Sequence, residues 1–179
     1  MKKYQKIILI ILGLIIVLLI GLTCFYPRKK DTSVDPKISL KTFQENYEKN
    51  MKSVDENMVP LEQYFQKDEK NKQVYHFKNC YLVIGYNEEK QVEKVYVHIP
   101  KEDYKKEEWT SKLMVLVQSM KETLTKEDAK KIVLKMQEVE NKESDEVGML
   151  VQFSEDNREY ITMEKENKTM LEFFIYVED

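Results

Sequence analysis

The sequence predicts an α+β protein: an N-terminal transmembrane helix followed by an antiparallel-sheet domain built of two helix-plus-three-strand units, with the helices on one face. Three observations predict it. One uncharged run is long enough to cross a bilayer, apolar residues recur at helical spacing in three later segments, and short β-rich runs joined by tight connections follow each helical region.

The chain begins with a short tail, residues 1–6, read as cytoplasmic. Ile7 to Tyr26 is an uncharged run of 20 residues dominated by Ile and Leu. At about 1.5 Å per residue a helix of that length spans roughly 30 Å, one hydrocarbon thickness. Backbone groups in lipid must be paired internally, so the run reads as a transmembrane anchor at 7–26. Tyr4 and Tyr26 stand where interfacial aromatics belong. The run exceeds the apolar region of a cleavable signal, and the only alanine is Ala129, so the usual exit site is missing. Gly21-Leu22-Thr23-Cys24 weakly resembles a bacterial lipoprotein signal, which makes a lipid anchor at Cys24 the alternative. Lys2, Lys3 and Lys6 precede the run and Arg28, Lys29 and Lys30 follow it, a near tie in positive charge. A tail this short normally stays inside, which places the rest of the chain outside, at the cell membrane. With 27 Lys against 2 Arg and only 11 residues of Ala, Gly, Arg and Pro combined, the composition suggests an AT-rich genome and a bacterial envelope.

A linker occupies 27–36, and 37–179 is read as one extracytoplasmic domain of tandem units, 37–100 and 101–179. Asp35-Pro36 offers a cap and a first-turn proline. Leu40, Phe43, Tyr47, Met51, Val54 and Met58 then make one apolar stripe. Pro60 interrupts it, and Leu61, Tyr64 and Phe65 form a short helix or turn. Gln66 to Gln73 is charged and aperiodic, and reads as a loop. Val74–Phe77, Cys80–Tyr86 and Val92–Ile99 have strand composition, the last alternating Val95, Val97 and Ile99 with Lys94, Tyr96 and His98.

The second unit repeats the order. Trp109, Leu113, Leu116, Met120 and Leu124 form a stripe. Thr125-Lys126-Glu127-Asp128 resembles a capping box, with Asp in place of Glu or Gln, and opens a helix carrying Ala129, Ile132, Val133, Met136 and Val139. Strands are expected near Val147–Phe153, Glu159–Glu164 and Thr169–Val177. In architecture alone, the tandem layout resembles the duplicated helix–sheet domains of the β-lactamase inhibitory proteins. A cystatin-like or nuclear-transport-factor-2-like curved sheet fits nearly as well, and no motif ties a function to either.

Composition excludes several classes. The first 30 residues hold six of the 29 basic groups and no acid, leaving 23 basic against 32 acidic groups afterwards, a formal charge of −9. Nucleic acid is therefore not the expected partner. One domain cysteine excludes an internal disulfide framework, and Gly85 and Gly148 make no phosphate loop. Nucleophilic catalysis would need Cys80 beside His76, without any G-x-S-x-G elbow. An open zinc site would need His76, His98 and Cys80 from adjacent strands, and a calcium site Glu155, Asp156 and Glu159; neither has a recognised spacing. No catalytic residue, metal or cofactor is assigned, and the expected class is not an enzyme, with a hydrolase as the alternative. Tyr75, Tyr81, Tyr96, His98, Phe174 and Tyr176 include more rings than one sheet face can bury, so they are the candidate interaction face. The expected role is a non-enzymatic, membrane-anchored, extracytoplasmic interaction or accessory protein binding a protein partner. The alternatives are a tethered small-molecule or metal-ion binding domain, or a lipoprotein-like inhibitor or immunity protein.

Overall fold

A computed structural model describes residues 37–55, 58–77, 80–139, 148–155, 157–165 and 169–177. The chain divides into two compact units, Met1–Val34 and Asp35–Asp179, and every described residue lies in the second. The anchor expected at 7–26, with Tyr4, Cys24 and Tyr26, lies outside the described residues, as do the linker and the cap expected at Asp35-Pro36. Among the described residues no helix is long and apolar enough to cross a membrane.

Three helices and a seven-stranded antiparallel sheet make the α+β fold. Helix α1 spans Leu40–Val54, capped by Ser39, whose hydroxyl accepts a hydrogen bond from the Thr42 amide at 3.0 Å. Asp35-Pro36 therefore lies upstream of the helix start. Leu40, Phe43, Tyr47 and Met51 are buried along its stripe, while Val54 and Met58 pack at the margin of the core. A 3₁₀ turn, Leu61–Tyr64, follows Pro60. Helix α2, Glu107–Met120, and helix α3, Lys126–Met136, complete the helical layer. The α3 cap is as expected: Thr125 Oγ1 accepts from the Asp128 amide at 3.1 Å and donates to its carboxylate at 2.7 Å. Leu124 and Val139 fall beyond the ends of their helices and still pack against or within the core. Helix α2 touches both α1 and α3, which explains why Met114, Val115, Val117 and Ser119 are buried in addition to its expected stripe.

The strands are β1 Phe65–Glu69, β2 Lys72–Phe77, β3 Cys80–Tyr86, β4 Val92–Pro100, β5 Met149–Glu155, β6 Arg158–Glu164 and β7 Met170–Val177, in the order β1-β2-β3-β4-β7-β6-β5. The first correction concerns β1, which occupies much of the segment read as a loop. Four of its five residues are exposed, so no period-2 apolar pattern marks it; backbone pairing with β2 holds it instead. Its hairpin turns at Asn71, whose φ of 62° a short polar side chain tolerates. The second correction is to the tandem count. The first unit supplies one long helix and four strands, the second two helices and three strands. The two units join through their last strands, β4 and β7, centred on the pair Val97↔Phe173.

Side chains alternate across the sheet, so the register assigns faces. Tyr75, Leu82, Val97, Phe173 and Thr162 form one row, and it meets the helices. Gln44 of α1 donates to the Tyr75 hydroxyl at 3.1 Å, and Thr162 Oγ1 donates to the carbonyl of Met136 at 2.7 Å. The buried Arg158 guanidinium donates to the carbonyl of Met120. Strand β6 thus satisfies carbonyls at the C-terminal ends of both α2 and α3, where helices leave such groups unpaired.

Candidate functional site

The opposite sheet face follows from the same register. One row runs His76, Tyr81, His98, Glu172 and Met163; the next Lys67, Val74, Val83, Tyr96, Phe174 and Ile161. A third runs Lys72, Gly85, Lys94, Tyr176 and Glu159. Five of the six residues expected on an interaction face, Tyr81, Tyr96, His98, Phe174 and Tyr176, are therefore brought together.

Tyr75 is the exception and a correction. It is 1% exposed, on the helix side, with its hydroxyl donating to Gln73 at 2.7 Å. Its neighbour Val74, rather than Tyr75, faces away from the helices. Aromatic residues occur on both faces of β2, and composition cannot tell which face the helices cover.

The rings form an aromatic band of two groups on this face, Tyr96–Phe174–Tyr176 and His76–Tyr81. Tyr96 and Phe174, directly paired across β4 and β7, have centroids 5.4 Å apart, and Phe174 stacks on Tyr176 at 5.7 Å. His76 stacks on Tyr81 at 4.6 Å, across β2 and β3. Tyr81 is 41% exposed, one of the few large apolar side chains so placed among the described residues. Aromatic pairs of this geometry add about 0.5–1.5 kcal/mol beyond area burial, which favours the ring arrangement within each group.

Beside the band lies a concavity of about 490 Å³, within the range of roughly 300–1,000 Å³ typical of ligand pockets. Its apolar lining includes Val74, Val83, Tyr81 and Tyr96. Its charged lining is Lys67, Glu69, Lys72, Lys165 and Glu172, with the imidazole of His98 beside Glu172. The charges are arranged in pairs. Glu69 receives both Lys67 and, at 2.7 Å, Lys72; Glu172 receives His98 Nε2 and, at 2.9 Å, Lys165. Hydrogen bonds from Lys67 and Lys72 hold the Glu69 carboxyl down to about 2. Burial alone would raise the Glu172 carboxyl, but hydrogen bonds and charge from His98 and Lys165 outweigh it and leave the group below its ordinary value.

The catalytic and metal arrangements weighed from sequence do not assemble. Cys80 is buried at 3% exposure on the helix side, and burial pushes its thiol up to about 11, away from the thiolate a nucleophile requires. His76 and His98 share a face but flank Tyr81, two strand spacings apart, roughly 9–10 Å against the ~2 Å reach of a metal–nitrogen bond. Glu159 faces the aromatic band while Glu155, paired with Arg158, lies in a helix-side row, and Asp156 lies outside the described residues. Among the described residues no group of three or more His, Cys, Asp or Glu side chains is placed to hold a metal ion.

Sequence reasoning missed Val74, Val83, Lys67, Glu69, Lys72, Lys165 and Glu172. The two valines were placed in strands without a face, and Lys67, Glu69 and Lys72 sat in the supposed loop. Only the β1–β2 register puts them beside Tyr81. Comparison with protein-family models, with curated proteins and with solved structures found no match.

Proposed function

We propose that the chain is a non-enzymatic, membrane-anchored extracytoplasmic interaction protein of a bacterial cell envelope, binding a protein partner through the sheet face opposite the helices. The observation that carries this reading is the aromatic band, Tyr96–Phe174–Tyr176 with Tyr81 on the same sheet face, left partly open to solvent. Rings of this kind supply large contact area at low entropic cost and are enriched at binding surfaces. The anchor is residues 7–26, with 1–6 inside, 27–36 as linker and 37–179 outside; lipid attachment at Cys24 is the alternative tether. Confinement to a membrane plane raises effective concentration toward neighbours, so a weak interface suffices.

The test is capture of partners from the native envelope by the full chain, against the same chain carrying Tyr96→Ala or Phe174→Ala. Loss of a specific partner in both variants is the expected result, and an unchanged partner set contradicts the assignment. The concavity favours a second reading, a tethered small-molecule or ion binder. A thermal-stability screen against metals and small ligands separates the two, because a native-state ligand raises stability as ln(1 + [L]/Kd).

A further inference from the structure

We infer that the concave part of the helix-free face is a receptor for an acidic peptide segment carrying an aromatic or large apolar side chain. This deepens the proposed interaction role and rests on it. Two observations give the ligand its chemistry, one its apolar part and one the sign of its charge.

The apolar part follows from the rings. Val74 and Val83, 7% and 5% exposed, form a floor already covered, so the apolar surface open to a ligand is that of the half-buried Tyr96 ring and the partly exposed Tyr81 ring. An aromatic or branched side chain laid there removes apolar surface from water on both partners, about 25 cal/mol per Å² before ordering costs.

The sign follows from the depth of the charges. The Lys67, Lys72 and Lys165 side chains are 54, 45 and 45% exposed, whereas those of Glu69 and Glu172 are only 34 and 11% exposed. The lysine side chains thus reach further into solvent than the carboxylates they pair with, and an approaching ligand meets lysine first. Three lysines against two carboxylates leave the lining net positive, on a domain whose formal charge is −9. That local reversal of sign steers anions to this place and repels them elsewhere. A peptide carboxylate can join Lys67 and Lys72 by sharing them with Glu69. The surface is a shallow, open concavity, which suits a chain segment more than a bilayer plane.

The experiment uses the full chain in neutral-lipid nanodiscs and two fluorescein-labelled heptapeptides, Glu-Asp-Tyr-Glu-Phe-Asp-Glu and its carboxamide twin Gln-Asn-Tyr-Gln-Phe-Asn-Gln, read by anisotropy. The acidic peptide is expected to bind about tenfold more tightly than the twin, with the difference shrinking at high salt. The double substitution Lys67→Glu, Lys72→Glu is expected to abolish that difference. Glu69→Gln is expected to strengthen acidic-peptide binding severalfold, an increase that a merely structural role for Glu69 does not give. Thermal unfolding of each variant checks that the fold is kept. Equal binding of the two peptides, or weaker acidic-peptide binding in Glu69→Gln, overturns the inference. Capture of phosphatidylserine vesicles in preference to the acidic peptide overturns it in favour of a lipid surface. If the peptide test fails while Tyr96→Ala and Phe174→Ala still remove an envelope partner, the interaction role stands and only the acidic assignment falls.

Discussion

Glu172 lies in close contact with His98 and accepts from Lys165, and its carboxyl is held below its ordinary value of 4.5. It binds fewer protons folded than unfolded, so its contribution to stability is complete above about pH 4.5 and fades as the pH falls through the lower folded value. Urea midpoints of wild type and Glu172→Gln should therefore converge between about pH 6 and about pH 3; a constant gap contradicts this. Arg158 is buried and donates to the C-terminal end of α2. Arg158→Ala removes a charge-assisted bond and a packed stem, and should cost about 2–4 kcal/mol by urea unfolding. Less than about 1 kcal/mol would mean water replaces the contact. Single residues were also where the sequence was least informative. Tyr75 and Tyr81 have the same chemistry, yet the first lies in the core and the second in solvent, because strand parity and helix coverage, not residue type, decide the face.

The elements whose stripes bury against other elements were readable from sequence alone. Leu40–Met51 and Ala129–Met136 sit in helices because a 3.6-residue apolar period had to find a core, and the Thr125–Asp128 box starts α3 as its spacing implies. Strand β1 was not readable, since an exposed edge strand of Phe-Gln-Lys-Asp-Glu carries no burial pattern to detect. With Gln66–Gln73 read as a loop, Lys67, Glu69 and Lys72 on the rim of the concavity were unread too. Caps and turns make the sharper predictions at this scale. Ser39→Ala should cost about 1 kcal/mol through loss of the Thr42 amide bond, seen as a lower urea midpoint. Gly148 has φ +85°, and a Cβ there would stand 2.5 Å from the Glu164 carbonyl oxygen. Gly148→Ala should cost about 1–3 kcal/mol, whereas Gly85→Ala meets only the flexible Lys94 side chain, at 2.8 Å, and should cost less. Equal losses at the two glycines would refute the distinction.

For the whole molecule, an acidic α+β body presents an aromatic band and a lysine-rimmed concavity on the sheet face away from its helices. The proposed anchor gives that face a place to work. Deleting residues 7–26 should move the chain from the membrane to the soluble fraction. Orientation needs a reporter other than Cys80, whose 3% exposure would block a thiol reagent on either side of the membrane. Glu88→Cys, in the exposed Asn87–Gln91 turn, should react with a membrane-impermeant maleimide on intact cells if the domain faces outward. The fold class could be read from hydrophobic period, but the binding face depended on which side the helices cover, a tertiary fact. The most direct measurement is site-specific photo-crosslinking of the full chain in its own membrane, with the photoreactive residue at Tyr81 and, as control, at the exposed Lys130 on α3. The account predicts a discrete protein adduct from Tyr81 that is absent from Lys130. The same adducts from both positions, or none from Tyr81, would contradict it.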